Sequence, residues 1–134
     1  MVDKMIEIKN VSYSYTGEEN CINNISLTIP DGQVTVLCGE SGCGKTTVTR
    51  LINGLIPHYY EGKLSGNVDV NGKGTTATPL YEISHSVGSV FQNPRSQFFN
   101  VDTTSEITFG CENLGMKPEV NELPRGKPSS IFRA

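Results

Sequence analysis

The chain has 134 residues, 36% of them hydrophobic, with 14 glycines and a net charge of −3, the make-up of a single domain able to bury a core. No basic block interrupts that balance, so nucleic acid is not expected as a partner, and no run approaches the roughly 20 apolar residues of a membrane span. Charges within Met1 to Glu7 argue against a secretory leader, and Cys21, Cys38, Cys43 and Cys111 form no C-x-x-C pair and have no histidines at zinc spacing, so they read as reduced thiols of a cytosolic protein.

Ile6 and Ile8, then Val11, Tyr13 and Tyr15, alternate with polar residues and shift phase at Asn10, which predicts a half-buried strand carrying a bulge. Residues 15–20 turn the chain. Ile25, Leu27 and Ile29 predict a second strand closed by the turn Pro30-Asp31-Gly32, so the opening is expected to be antiparallel. Val34-Thr35-Val36-Leu37-Cys38 is different in character. Its near-continuous apolar run predicts a strand buried on both faces of a parallel sheet.

A glycine loop follows that run, and then Val48, Leu51, Ile52 and Leu55 fall at i, i+3, i+4 and i+7, one face of a helix with Gly54 near its end and Pro57 beyond. Leu64, Val68 and Val70, followed by Asn71-Gly72, predict a strand and tight turn. Leu80 to His85 suggests a short helix. Val87 to Phe91 reads as a strand that ends before Pro94, and residues 117–134 show no sustained period, which predicts a disordered or poorly packed tail.

The loop carries the chemistry. Gly39, four residues, then Gly44, Lys45 and Thr46 satisfy the G-x-x-x-x-G-K-S/T pattern, set between a strand signal and a helix signal as that pattern requires. Glycines let the backbone approach a ligand closely, so that Gly39, Ser41, Gly42, Cys43 and Gly44 can wrap a polyphosphate while amides from about Gly42 to Thr46 converge on its oxygens. Lys45 supplies a mobile charge for the β- and γ-phosphates, the Thr46 hydroxyl is placed for Mg²⁺, and Thr47 is a donor for the α-phosphate.

Several stretches together resemble the ATP-binding subunit of an ABC transporter. Asn10-Val11-Ser12-Tyr13-Ser14-Tyr15 is similar to the family's segment with an adenine-stacking aromatic, for which Tyr15 is the first candidate and Tyr13 the second. Val90-Phe91-Gln92-Asn93-Pro94 resembles the glutamine loop, and the resemblance implies that Gln92 reaches Mg²⁺ and the attacking water. Asn53 to Gly62, Phe91 to Phe99 and Glu106 to Gly115 look closest to the energy-coupling-factor group, importers of vitamins and of cobalt or nickel ions. His58, Tyr59 and Tyr60 receive no chemistry, because one histidine lacks a spaced partner for metal.

The resemblance implies an α/β fold, a P-loop NTPase core with an N-terminal antiparallel β subdomain, truncated before the second half of the ATPase domain. Residues 1–116 would be the N-terminal part of that domain and 117–134 a divergent tail. It implies ATP and Mg²⁺ as ligands, a second ATP-binding subunit (a homo- or heterodimer) and an integral membrane subunit as partners, and a place at the inner face of the cell membrane. No Asp-Glu pair ends an apolar strand, and Leu64-Ser65-Gly66-Asn67 is only a decoy for the family's Leu-Ser-Gly-Gly signature. Binding without turnover is therefore expected, with apolar edges exposed where the strand feeding the loop lacks neighbours. The other readings are a non-catalytic module that pairs with a full-length subunit, and another P-loop enzyme, weakened by the absence of an Asn-Lys-x-Asp sequence.

Overall fold

The computed structural model describes residues 5–19 and 21–116, and the expected tail at 117–134 lies outside them. Strand β1, Met5–Tyr15, is the centre of an antiparallel sheet, with β2, Ile22–Pro30, on one side and β3, Gly62–Val70, on the other; β4, Lys73–Gly74, extends the β3 edge. Ile8 stands opposite Leu27 and Val68, and Tyr13 opposite Ile22 and Leu64, so the apolar positions of three strands fall on one face.

The phase shift at Asn10 is a bulge. Both ladders break register after Ile8 or Lys9 and resume by Val11 or Ser12, and Asn10 takes a positive φ of 48°. Its amide donates to the Ser26 hydroxyl at 3.0 Å, and that hydroxyl donates back to the Asn10 side-chain oxygen at 3.3 Å. The decoy glycine faces this bulge from β3: Gly66 has a φ of +84°, and a Cβ there would meet the carbonyl oxygens of Asn10 and Lys9. Its role is steric. Asn71 and Gly72, with φ of 52° and 76°, form the tight turn expected from their sequence.

Helix α1, Lys45–Ile52, lays its apolar face on the sheet. Val48 and Leu51 join Ile8, Val11, Tyr13, Ile22, Ile56 and Val68 in one core cluster. Gly54, at a φ of +78°, ends this helix earlier than the apolar period suggested, so Leu55 opens a separate turn, α2, Leu55–His58. Ile83 of α3, Leu80–Ser84, packs so near Gly54 that a Cβ there would overlap its Cδ1 atom.

Two expected strands are not formed. Residues 33–40 have no regular structure, and Val34 and Val36 are 94% and 74% exposed, where burial on both faces was predicted. A strand of a parallel sheet gets its hydrogen bonds and its cover from strands distant in sequence, and among the described residues none runs beside this segment. Residues 87–91 likewise form no strand, for the same physical reason.

The chain divides into two compact units between Ser89 and Val90. In the second, residues Pro94–Gln97 form a 3₁₀ turn and α4 spans Thr103–Asn113. Asp102 caps α4, accepting from the Ser105 amide at 2.8 Å, and the Glu106 carboxylate accepts from the amides of Phe99 and Asn100 at 3.1 and 2.8 Å. That helix had a legible start signal in Asp102 and Glu106, although its apolar period is weak.

The contrast between helix face and exposed run is measurable by urea denaturation. Leu51→Ala, at a fully buried position, is expected to cost about 2–5 kcal/mol of stability, whereas Val36→Thr should stay within roughly 0.5 kcal/mol. Equal losses at the two positions would contradict the described arrangement.

Candidate functional site

Gly44 ends the glycine loop and starts α1 with a φ of +94° and ψ of 4°, a conformation that costs glycine little and other residues much. The space is also restricted, since a Cβ at this position would lie 3.1 Å from the Cys21 carbonyl oxygen. No side chain caps α1 and no acidic residue lies in its first turn, so the positive end of the helix carries no anion of its own. The loop is accessible: Gly39, Ser41, Gly42, Cys43 and Thr46 are exposed, and Gly44 and Lys45 half-buried.

Lys45 folds across this loop. Its ammonium donates to the carbonyl oxygens of Gly39 at 2.8 Å and Glu40 at 2.6 Å and contacts Cys43 Sγ at 3.4 Å. The Cys43 amide donates to the Glu40 carbonyl at 3.3 Å, which tightens the same turn. At Gly39 a Cβ would sit 2.6 Å from Cys43 Sγ, so a side chain there would have to displace that thiol. The cation is thus held at the mouth of the helix by neutral acceptors alone, which makes it available to a stronger one.

Thr46 and Thr47 point differently. Thr46 is exposed, whereas Thr47 is buried with its hydroxyl 3.2 Å from the Tyr15 hydroxyl. Tyr15 in turn accepts from Arg50 Nη1 at 2.8 Å and meets the rings of Tyr13 and Tyr60 edge-on, at centroid distances of 4.9 and 6.0 Å. A cleft of about 400 Å³ opens beside it, bounded by Tyr15, Thr16, Gly17, Glu61, Gly62 and Lys63. The second aromatic candidate, Tyr13, belongs to the core: it is 2% exposed, and its hydroxyl donates to the carbonyls of Tyr60 and Glu61.

Gln92 is exposed and lies in the second unit of the chain, while the glycine loop, Tyr15 and α1 lie in the first. Arg50 and Tyr60 are additions to the expected residues: the guanidinium carbon stands 4.2 Å over the Tyr60 ring and 5.9 Å over that of Tyr15. The available signal was that Thr47 and Arg50 fall at i and i+3 of the helix, on one face. Among the described residues, no three of His, Cys, Asp or Glu come together as a metal site, and all four cysteines are free thiols.

Burial raises the Tyr13 pKa above its ordinary value of 10.0, with the charges of Tyr15 and Cys21 acting in the same direction and Arg50 against it. The hydroxyl stays protonated in the folded chain at pH values where the unfolded chain ionises. Its contribution to stability is therefore whole below pH 10.0 and is lost as pH rises through the higher folded value. Tyr13→Phe should cost roughly 1 kcal/mol at neutral pH and flatten the alkaline fall in stability, and Tyr81→Phe, at an exposed ring, should do neither. Identical alkaline profiles for wild type and Tyr13→Phe would contradict the buried hydroxyl.

A family model described as ABC transporter matches residues 22–130. A Treponema denticola protein named as an ABC transporter ATP-binding protein is 59% identical over 116 residues, 86% of this chain and 24% of that protein. A similarly named protein of Pyrococcus abyssi is 40% identical over 116 residues, 86% of this chain and 41% of its own length. Among solved structures, cbiO1 from Clostridium perfringens, described as part of the ABC transporter complex cbiONQ, superposes with a TM-score of 0.74 at 24% identity, over 89% of this chain and 46% of that one. That likeness bears on the fold, and the chain spans between about a quarter and a half of these relatives. With its antiparallel sheet, glycine loop and helix in place and the greater part of its length matched, the chain belongs to the ABC transporter family.

Proposed function

We propose that the chain binds Mg·ATP through its glycine loop and serves as an ATP-binding component of an importer of the energy-coupling-factor type. The observation that carries this reading is the start of α1: an accessible, uncapped helix end, launched by Gly44 at φ +94° and flanked by the Lys45 ammonium. A polyphosphate supplies what that end lacks, anionic oxygens for its amides. Phosphate oxygens are also better acceptors for Lys45 than the carbonyls of Gly39 and Glu40, and a four-carbon stem lets the ammonium turn to them.

The residues present fit Mg²⁺. This ion prefers a few protein oxygens together with substrate phosphates and water, and the exposed Thr46 hydroxyl at the helix start is such an oxygen. Bound there, it would neutralise charge on the phosphates. Thr47, expected as an α-phosphate donor, is buried with its hydroxyl turned to Tyr15, so what it offers a phosphate is its backbone amide in the first turn of α1. Tyr15 and the cleft beside it receive the base.

Phosphoryl transfer depends on positioning and on charge neutralisation, and the residues here supply the binding share of both. The sequence contains no Asp-Glu pair to hold the ion and activate water. Turnover is assigned to a pair of ATP-binding subunits seated on an integral membrane subunit, at the inner face of the membrane. The stretches Asn53 to Gly62 and Phe91 to Phe99 support the importer group, as does the fold shared with cbiO1, which is itself part of a transporter complex. No helix among the described residues is long and apolar enough to cross a membrane.

A second reading, a non-catalytic module that pairs with a full-length subunit, is favoured by the exposed apolar run at Val34, Val36 and Leu37, a surface that calls for cover. Calorimetry with Mg·ATP, run beside a phosphate-release assay, tests both readings. Lys45→Ala is expected to weaken binding by about tenfold or more, in line with loss of a charge-assisted contact. Unchanged affinity in that variant would overturn the assignment. Phosphate release on pairing with a complete subunit supports the importer component, and binding with no release in either setting supports the module.

A further inference from the structure

We propose that Arg50 is a positioning residue for the nucleotide, tying the base-side ring of Tyr15 to the helix whose first turn takes the phosphates. The proposal rests on the Mg·ATP reading above. Two side chains of α1 grip one phenol: Arg50 Nη1 donates to the Tyr15 hydroxyl at 2.8 Å, and Thr47 Oγ1 lies 3.2 Å from the same oxygen. Those two residues are one helical turn apart. The phenol they hold belongs to the last residue of β1, 35 positions before Arg50 in the chain.

The geometry explains why such a tie sets the ring. The hydroxyl of a tyrosine lies on the axis about which the ring flips, so fixing that oxygen fixes the tilt of the side chain and leaves only rotation about the axis. Neighbouring rings restrict that rotation. Tyr13 and Tyr60 both meet Tyr15 edge-on, at interplanar angles of 84°. Arg50 also holds Tyr60 in place, with its guanidinium 4.2 Å over that ring, so one residue braces two of the three aromatics. The cleft of about 400 Å³ opens on Tyr15 at this spot.

The alternative role for a half-buried arginine is a structural ion pair. Among the described residues, the ion pairs within reach of a salt bridge are Lys9 with Glu7 and Lys73 with Glu82, and Arg50 is met instead by rings and a phenol. Burial opposes the Arg50 charge, but the bond to Tyr15 and the fields of Tyr15, Tyr60 and Tyr13 outweigh it and raise its pKa. A planar guanidinium stacks and donates at once, and a lysine cannot do both. Base stacking and phosphate binding are thereby joined through α1, so that a nucleotide meets a preset spacing between ring and loop.

The test separates base from phosphate. Affinities of the full chain for Mg·ATP and for Mg·tripolyphosphate, which has no base, are measured by calorimetry for wild type, Arg50→Gln, Arg50→Lys and Tyr15→Phe. All three variants should weaken Mg·ATP by about fivefold, the scale of a partly desolvated cation–ring contact, and leave tripolyphosphate within about twofold. Equal loss for both ligands, or no loss for ATP, would overturn the proposal. Should Arg50→Gln fail to fold by circular dichroism, Tyr15→Phe decides by the same criterion, since it removes only the tied hydroxyl. A wild-type chain that binds neither ligand sinks the Mg·ATP reading and this one together. Binding of both ligands by wild type, with parallel losses in Arg50→Gln, sinks this one alone.

Discussion

The seating of α1 on the sheet determines everything at the site. Val48 and Leu51 press into a surface made by Ile8, Val11, Tyr13 and Val68, and a helix anchored by its middle has its first turn held in one place. The uncapped amides and Lys45 belong to that turn. The bulge at Asn10 matters for the same reason. It resets the phase of β1, so that Ile8 before it and Val11 and Tyr13 after it all face the helix, and Ser26 and Gly66 hold the irregularity from the two flanking strands. A glycine loop on a loosely seated helix has no fixed direction in which to present its donors.

The segment that leads into the loop shows what packing has not supplied. Val34, Val36 and Leu37 are exposed, and beside them a hollow of about 330 Å³ opens between β2 and the loop, walled by Ile22, Ile25, Leu37, Val48 and Lys45. Apolar walls on an open hollow invite further chain. The same feature gives the loop its character: one side rests on a well-packed helix, and the other has no cover among the described residues. Binding of an anion at the helix end draws on the first side, and coupling that event to anything larger draws on the second.

What the sequence made legible was what adjacent residues decide among themselves. The phase shift at Asn10, the Asn71-Gly72 turn, the glycine loop and the apolar stripe of α1 are each written within about ten residues, and each stands where it was expected. The runs at 34–38 and 87–91 carry strand propensity, yet a sheet needs neighbouring strands that propensity does not provide, and neither run forms a strand. The cluster of Tyr15, Thr47, Arg50 and Tyr60 was out of reach for another reason: its members come from three separate elements and loops and meet only when β1 and α1 pack. Gly54 shows the smaller error, an apolar period that runs on through a residue whose backbone has already left the helix.

Every role assigned to the glycine loop requires the amide hydrogens at the start of α1 to be an anion receptor. Backbone amide chemical shifts of the labelled chain, followed while Mg·ATP is added, test this most directly. The largest changes should fall on Gly42 to Thr47, with smaller ones at Tyr15 and the turn beside it. Changes that avoid Gly42 to Thr47, or no saturable change at all, would contradict it.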